Sequence, residues 1–167
     1  RFGVTTTYVD LTEEAAVLAA LHAHPRPALL FADTLSNPTV ICNDIPRLAQ
    51  FASEAGVPFV VDNTFATPYH FQPLKHGATL VLHSATKFIG GHNDVSGGVA
   101  IGPADLIAEL RAVGIRIGAT GSPFEAWLAL RGLRTMEVRL QRSSANAQIL
   151  ADAAAGHALV RNVHYPG

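Results

Sequence analysis

Cysteine is almost missing. Cys42 is the only one in 167 residues, so no disulfide can form within the chain, and a reducing compartment, the cytoplasm, is the expected setting. Lysine is nearly as scarce: of the 12 lysines and arginines, only Lys75 and Lys87 are lysine. Charged residues make up 15% of the chain and the formal net charge is -1, which leaves no electrostatic footprint for nucleic acid or an anionic membrane. No apolar run approaches the ~20 residues a spanning helix needs, and no charged-then-apolar leader opens the chain. A P-loop lysine needs glycine before it, whereas Ala85 and Thr86 precede Lys87, and the glycines from Gly90 to Gly98 lack dinucleotide spacing. That argues against a nucleotide-binding module. His83 and His92 have no third ligand at a sensible spacing, so no metal site is expected.

What remains is a core-rich chain, 49% hydrophobic, long enough to bury roughly 70% of the surface its unfolded form exposes. Strand-like and helix-like stretches alternate. Val4 to Val9, Ala28 to Ala32, Val57 to Val61, Thr79 to Leu82, Gly97 to Ile101 and Val160 to His164 read as strands. Thr12 is a candidate cap for a helix through Ala23. Asn43 or Asp44 caps another, with Pro46 in its first turn, Ile45, Leu48, Ala49 and Ala52 on one face, and Gly56 at its end. A helix after Pro103 carries Leu106, Leu110 and Val113 on one side. Ser122 to Glu125 spells a capping box, and Gly132 interrupts the helical pattern that follows it. A long helix is expected from about Leu133 to Ala154, with Leu133, Met136 and Leu140 inward. Both ends read as cut, since the chain opens at Arg1 inside a β run and stops in the turn Tyr165-Pro166-Gly167. Strands alternating with helices imply an α/β fold with a mainly parallel sheet flanked by helices.

Ligands in such sheets gather beyond the carboxyl ends of the strands, which directs attention to Asp33–Asn37, Asp62–Thr64 and His83–Lys87. Asp62 follows a buried run, where a carboxylate either caps a neighbouring turn or accepts from a protonated ring nitrogen. A lysine is ordinarily a solvated charge. In a chain whose cations are nearly all arginine, Lys87 at a strand end is either that or an amine set to form a Schiff base, as arginine does not. Ser84 and Thr86 flank it, able to bond locally in the turn or to donate to a phosphate.

At these residues the sequence resembles a known family. VVDNTFATPY (Val60 to Tyr69) and HSATKFIGGHND (His83 to Asp94), with the spacing between them, resemble the signature of the Cys/Met-metabolism pyridoxal-phosphate enzymes. Ser36-Asn37-Pro38, SPFEAWLALRGLRT (Ser122 to Thr135), NAQIL (Asn146 to Leu150) and VHYPG (Val163 to Gly167) extend the likeness over the whole chain. The resemblance implies the aspartate-aminotransferase-like architecture of fold type I, with residues 1–167 the central part of the cofactor-binding large domain. Residues 133–167 would lead toward a C-terminal domain.

It further implies pyridoxal 5'-phosphate on Lys87, Asp62 against the pyridine nitrogen, Ser84 and Thr86 on the phosphate, and Thr64 against the ring. Asn37 would lie near the phenolic oxygen and substrate carboxylate. The implied chemistry is γ-elimination or γ-replacement on sulfur-containing amino acids or activated homoserine. The cystathionine/methionine γ-lyase and cystathionine γ-synthase branch is slightly preferred over the O-acetylhomoserine sulfhydrylases. A homo-oligomer, a dimer of dimers with shared active sites, is implied too. Asp33 stands where the family more often has glutamate, and His70-Phe71-Gln72 departs from its usual leucine-led segment. A non-catalytic fragment of the same ancestry is the alternative.

Overall fold

The strand Phe59–Asp62 (β2) is apolar at three successive positions and buried at all three, as a strand covered on both faces should be. Around it the computed structural model, which describes residues 3–166, builds a four-stranded sheet in the order β1-β2-β3-β4. Arg1, Phe2 and Gly167, on which the reading of cut ends was placed, lie outside the described residues. Strand β1 is Leu30–Asp33, β3 is Leu80–Ser84 and β4 is Gly98–Ile101. β1, β2 and β3 run parallel, whereas β4 pairs antiparallel with β3, His83 opposite Val99. The expected mainly parallel sheet is therefore present, with one antiparallel edge.

Helices α1 (Glu14–Leu21) and α2 (Ile45–Ala55) cover one face. Val17, Leu21, Ile45, Leu48, Phe51 and Ala52 meet Phe59, Val61 and Val81 from the sheet in one core. Asp44 caps α2 by accepting from the Arg47 amide (3.0 Å), and Gly56 ends it at φ 62°, a left-handed turn that glycine adopts without Cβ strain. A single turn α3 (Thr67–His70) and a 3₁₀ turn (Pro73–His76) lead from β2 to β3. Beyond β4 come α4 (Ala104–Ile117), α5 (Pro123–Leu133) and α6 (Met136–Ala155). The Ser122 capping box is formed in both directions. Among the described residues, no helix is long and apolar enough to cross a membrane.

Several expectations are corrected. Val4–Val9 is not a strand: Val4 and Tyr8 are exposed and no neighbouring strand takes up the ladder bonds. Val160–His164 is irregular for the same reason, with the Val160 amide bonded back to His157 in a turn. Thr12 does not cap α1, because its amide and hydroxyl both donate to Asp10 Oδ1 (2.9 and 2.7 Å). The interruption expected at Gly132 is present, α5 ending at Leu133 and α6 beginning at Met136, but Leu133 belongs to α5 and is exposed rather than inward, while Leu140 is buried. In α4 no residue is buried, Leu110 and Val113 included.

Two predictions follow from this packing. Phe59 is 1% exposed, and truncating such a side chain removes transfer energy and leaves a cavity, so Phe59→Ala should cost about 3–5 kcal/mol. Urea unfolding should show the midpoint falling at constant m; a loss under about 1 kcal/mol would mean that Phe59 does not pack in the core. His83 is 4% exposed, and its Nδ1 has no hydrogen-bond partner among the described residues. Burial pushes its pKa below the ordinary histidine value, partly offset by the charge of Asp62 and by the Asn63 backbone. A depressed histidine pKa contributes stability that is present above the unfolded value of about 6.5 and is lost as pH falls through the folded one. Stability plotted against pH from 7.5 to 5 should decline less steeply in His83→Gln than in the native chain; identical slopes would exclude a titrating His83.

Candidate active site

The carboxyl ends of β1, β2 and β3 lie side by side, Asp33 opposite Asp62 and Asp62 opposite Leu82. Asn63, fully buried, fastens them. Its side-chain oxygen accepts from Thr34 Oγ1 (2.7 Å), its amide nitrogen donates to the Phe71 carbonyl (2.8 Å), and its backbone N–H donates to Leu82 O (2.9 Å). Asp62 Oδ1 accepts from the Thr64 amide at 2.9 Å. Asp62 thus does cap a turn, and its Oδ2 carries no bond among the described residues. The Asp33 carboxyl is held above its usual range, first by burial and second by the charge of Asp62.

Thr64 joins β2 to β3, its hydroxyl accepting from the Ser84 amide at 2.8 Å. After Ser84 the chain enters a wide turn, Ala85–Ile89, closed by the Gly90 amide on Ala85 O (2.7 Å) and the Gly91 amide on Lys87 O (2.8 Å). Lys87 leaves the helical path inside it, at φ -87° and ψ -117°. Its side chain is exposed and makes no hydrogen bond or ion pair among the described residues. The Ser84 hydroxyl is likewise without a partner there. The Thr86 hydroxyl is engaged: it accepts from the Gly97 amide (3.0 Å) and faces the Gly97 carbonyl (3.4 Å), pinning the turn to the strand that enters the sheet as β4.

Asp62, Thr64, Ser84, Thr86 and Lys87 are therefore gathered at one sheet edge. Asn37 also follows a strand's carboxyl end, exposed in the loop after β1 and with no side-chain hydrogen bond among the described residues. Sequence reasoning gave no role to Asn63, although it stands inside the quoted motif, and none to Arg139. On α6, Arg139 donates to the Phe88 carbonyl directly after Lys87 (2.9 Å), and nothing near it in the sequence marks it. A cleft of about 520 Å³ between the strand ends and α6 is lined by Thr34, Asn43, Phe65, Phe88 and Tyr165 and by none of the five clustered residues. The cluster forms an open floor. Its donor set suits a phosphorylated pyridine aldehyde: a free amine for the aldehyde, a free carboxylate oxygen for a ring N–H, and a free hydroxyl for a phosphate oxygen.

The family model described as Cys/Met metabolism PLP-dependent enzyme matches residues 1–167. L-methionine gamma-lyase of Pseudomonas putida is 39% identical over 169 residues, covering 100% of this chain and 42% of that protein. Cystathionine gamma-synthase of Mycobacterium bovis is 42% identical over 168 residues, covering 100% and 43%. Among solved structures, cystathionine gamma synthase from Xanthomonas oryzae in complex with aminoacrylate and cysteine superposes with a TM-score of 0.91 at 42% identity, covering 95% of this chain and 41% of that one. The chain thus spans less than half the length of these relatives. Matched along its whole length in sequence and, at TM-score 0.91, in fold, the chain belongs to the Cys/Met metabolism PLP-dependent enzyme family.

Proposed function

We infer that this chain carries the cofactor-holding part of a pyridoxal-phosphate enzyme that performs γ-elimination or γ-replacement on sulfur-containing amino acids or activated homoserine. The observation that carries the reading is Lys87: an exposed, unpaired amine on a braced turn, at the same sheet edge as the unshared Oδ2 of Asp62. When bound, pyridoxal phosphate supplies an electron sink for charge developing at the substrate α-carbon. Lys87 Nζ would hold the cofactor at its aldehyde and, as a free amine, would take a proton at the substrate α-carbon and return one further along the substrate. Asp62 Oδ2 holds the proton on the pyridine nitrogen.

Ser84 Oγ donates to the phosphate. Thr86 supports that role mainly through Gly97, which engages its hydroxyl. Thr64, its hydroxyl on the Ser84 amide, sets the spacing between the β2 and β3 ends against the ring. Asn37 serves the phenolic oxygen and substrate carboxylate from the loop after β1.

The relatives named above include both a lyase and a synthase, and the slight preference for their branch over the sulfhydrylases stands as part of this reading. The open floor supports a homo-oligomer, a dimer of dimers whose subunits wall one another's sites. Uncovered apolar side chains on α4 and α5, among them Ile115, Ile117, Phe124, Trp127 and Leu130, are surface of the kind such contacts bury. A cytoplasmic location completes the proposal, supported by the single exposed Cys42.

Borohydride reduction of the full chain incubated with pyridoxal phosphate, followed by peptide mapping, should place a pyridoxyl adduct on Lys87. Lys87→Ala should lose the adduct and at least about 100-fold in turnover. An adduct on Lys75 would overturn the site but not the family. No adduct at all would favour a non-catalytic scaffold.

A further inference from the structure

A half-buried guanidinium on α6 has no carboxylate to neutralise it. Among the described residues the ion pairs are Arg47 with Glu14 and Arg131 with Asp94. Arg139 instead spends its donors on neutral oxygens of two separate segments. Nη2 donates to the Phe88 carbonyl at 2.9 Å and to the Gly132 carbonyl at 2.9 Å, while Nε donates to Thr135 Oγ1 at 3.1 Å. Thr135 Oγ1 in turn donates to the Gly132 carbonyl at 3.2 Å. Removing a charge from bulk water without a counter-ion is costly, so this arrangement calls for a purpose beyond the fold's average stability.

Its placement supplies one. Phe88 follows Lys87 directly, and the Phe88 carbonyl belongs to the turn whose shape aims the lysine. On its β4 side that turn is pinned by Thr86 and Gly97, and within itself by the Gly90 and Gly91 amides. Arg139 pins the remaining side. Two glycines make room for it. A Cβ at Gly91 would overlap the Arg139 guanidinium, and a Cβ at Gly132 would overlap the carbonyls of Ile89 and Gly90. Helix α5 can therefore press its backbone directly against the Lys87 turn, with the guanidinium bridging the two.

We propose that Arg139, oriented by Thr135, is a positioning residue for Lys87, holding the turn so that the amine is presented to an aldehyde at the sheet edge. The inference rests on the assignment of Lys87 as the cofactor-binding amine. Misplacing a reacting group by about 1 Å costs up to on the order of 100-fold in rate.

The test measures how fast a borohydride-trappable pyridoxyl adduct forms on Lys87 in the full chain freed of cofactor, alongside the thermal midpoint of each variant. Arg139→Gln should slow adduct formation on the order of tenfold. Arg139→Lys, with one ammonium in place of a fork, should recover only part of the rate. Ser122→Ala removes the cap at the far end of α5 without touching the Phe88 carbonyl; it should lower the midpoint and leave the rate within about twofold, inside the scatter of a remote surface change. Were Arg139→Gln not to fold, Thr135→Val, which keeps the guanidinium but frees Nε, should show the slowing in milder form. Native-like rates in the folded Arg139 and Thr135 variants would overturn the positioning role while leaving Lys87 as the site. Equal slowing in Ser122→Ala would also overturn it, by reducing the effect to helix stability. Failure of the native chain itself to form the Lys87 adduct would remove both the site and the proposal built on it.

Discussion

One buried amide side chain sets the geometry of the whole sheet edge. Asn63 is closed off from solvent, yet both ends of its side chain and both of its backbone groups are bonded, to Thr34, Phe71, Leu82 and Thr67. These partners come from the end of β1, the segment after α3, the middle of β3 and the start of α3. A buried amide left unpaired costs about 1–3 kcal/mol, so each of the four segments is held where the amide is satisfied. Asp62 on one side of Asn63 and Thr64 on the other inherit their positions from it. Thr64 passes the constraint to Ser84, and through the β3 end to the turn that bears Lys87. The order of the cluster is thus a property of backbone pairing more than of contacts among its own members.

The elements legible from sequence were those whose signals were local. The Asp44 cap with Gly56, the Ser122 capping box, and the nearly continuous apolar run at β2 each contain their own physical reason, and each forms within a residue or two of expectation. Val4–Val9 and Val160–His164 had the composition of strands, but a strand exists only against a neighbour that accepts its ladder bonds, and none is present for either. Gly132 does precede the end of α5, but it has a second role that its local signal does not contain. Glycine weakens a helix by about 1 kcal/mol against alanine, which read as an interruption. In the fold its missing Cβ lets α5 lie against the carbonyls of Ile89 and Gly90, an approach between residues some forty positions apart that no local pattern records.

Composition singled out Lys87, strand-end position drew attention to Asp62, Ser84 and Thr86, and Thr64 and Asn37 took on roles only through the family resemblance. In a chain that meets its need for cations with arginine, a lysine is informative. The amides and carbonyls that shape its turn are invisible in the same way that the second role of Gly132 was: Gly97, Thr135 and Arg139 act through backbone carbonyls and amides, which every residue has. Thr86 shows the ambiguity that remains even at a recognised motif. Its hydroxyl has a local partner in Gly97, so the motif's threonine serves the turn whatever else it touches.

An open floor also has electrostatic consequences. Two unit charges about 4 Å apart attract by about 1 kcal/mol in bulk water and about 4 kcal/mol at the effective dielectric of a protein surface. In the proposed reading Asp62 must keep a proton on a pyridine nitrogen whose own affinity for it is modest, and the half-buried carboxylate holds it with a strength between those two figures. Walls that exclude water raise it toward the upper one without moving Asp62 at all. The full difference of about 3 kcal/mol is roughly a hundredfold in the nitrogen's proton-binding constant. The described residues can therefore supply the chemistry's groups and their spacing, while the strength with which Asp62 acts depends on what covers the edge. A floor with the groups aligned but uncovered would capture the aldehyde through Lys87 far more readily than it would turn over substrate, since imine formation at an accessible amine does not need the excluded-water field that proton abstraction does.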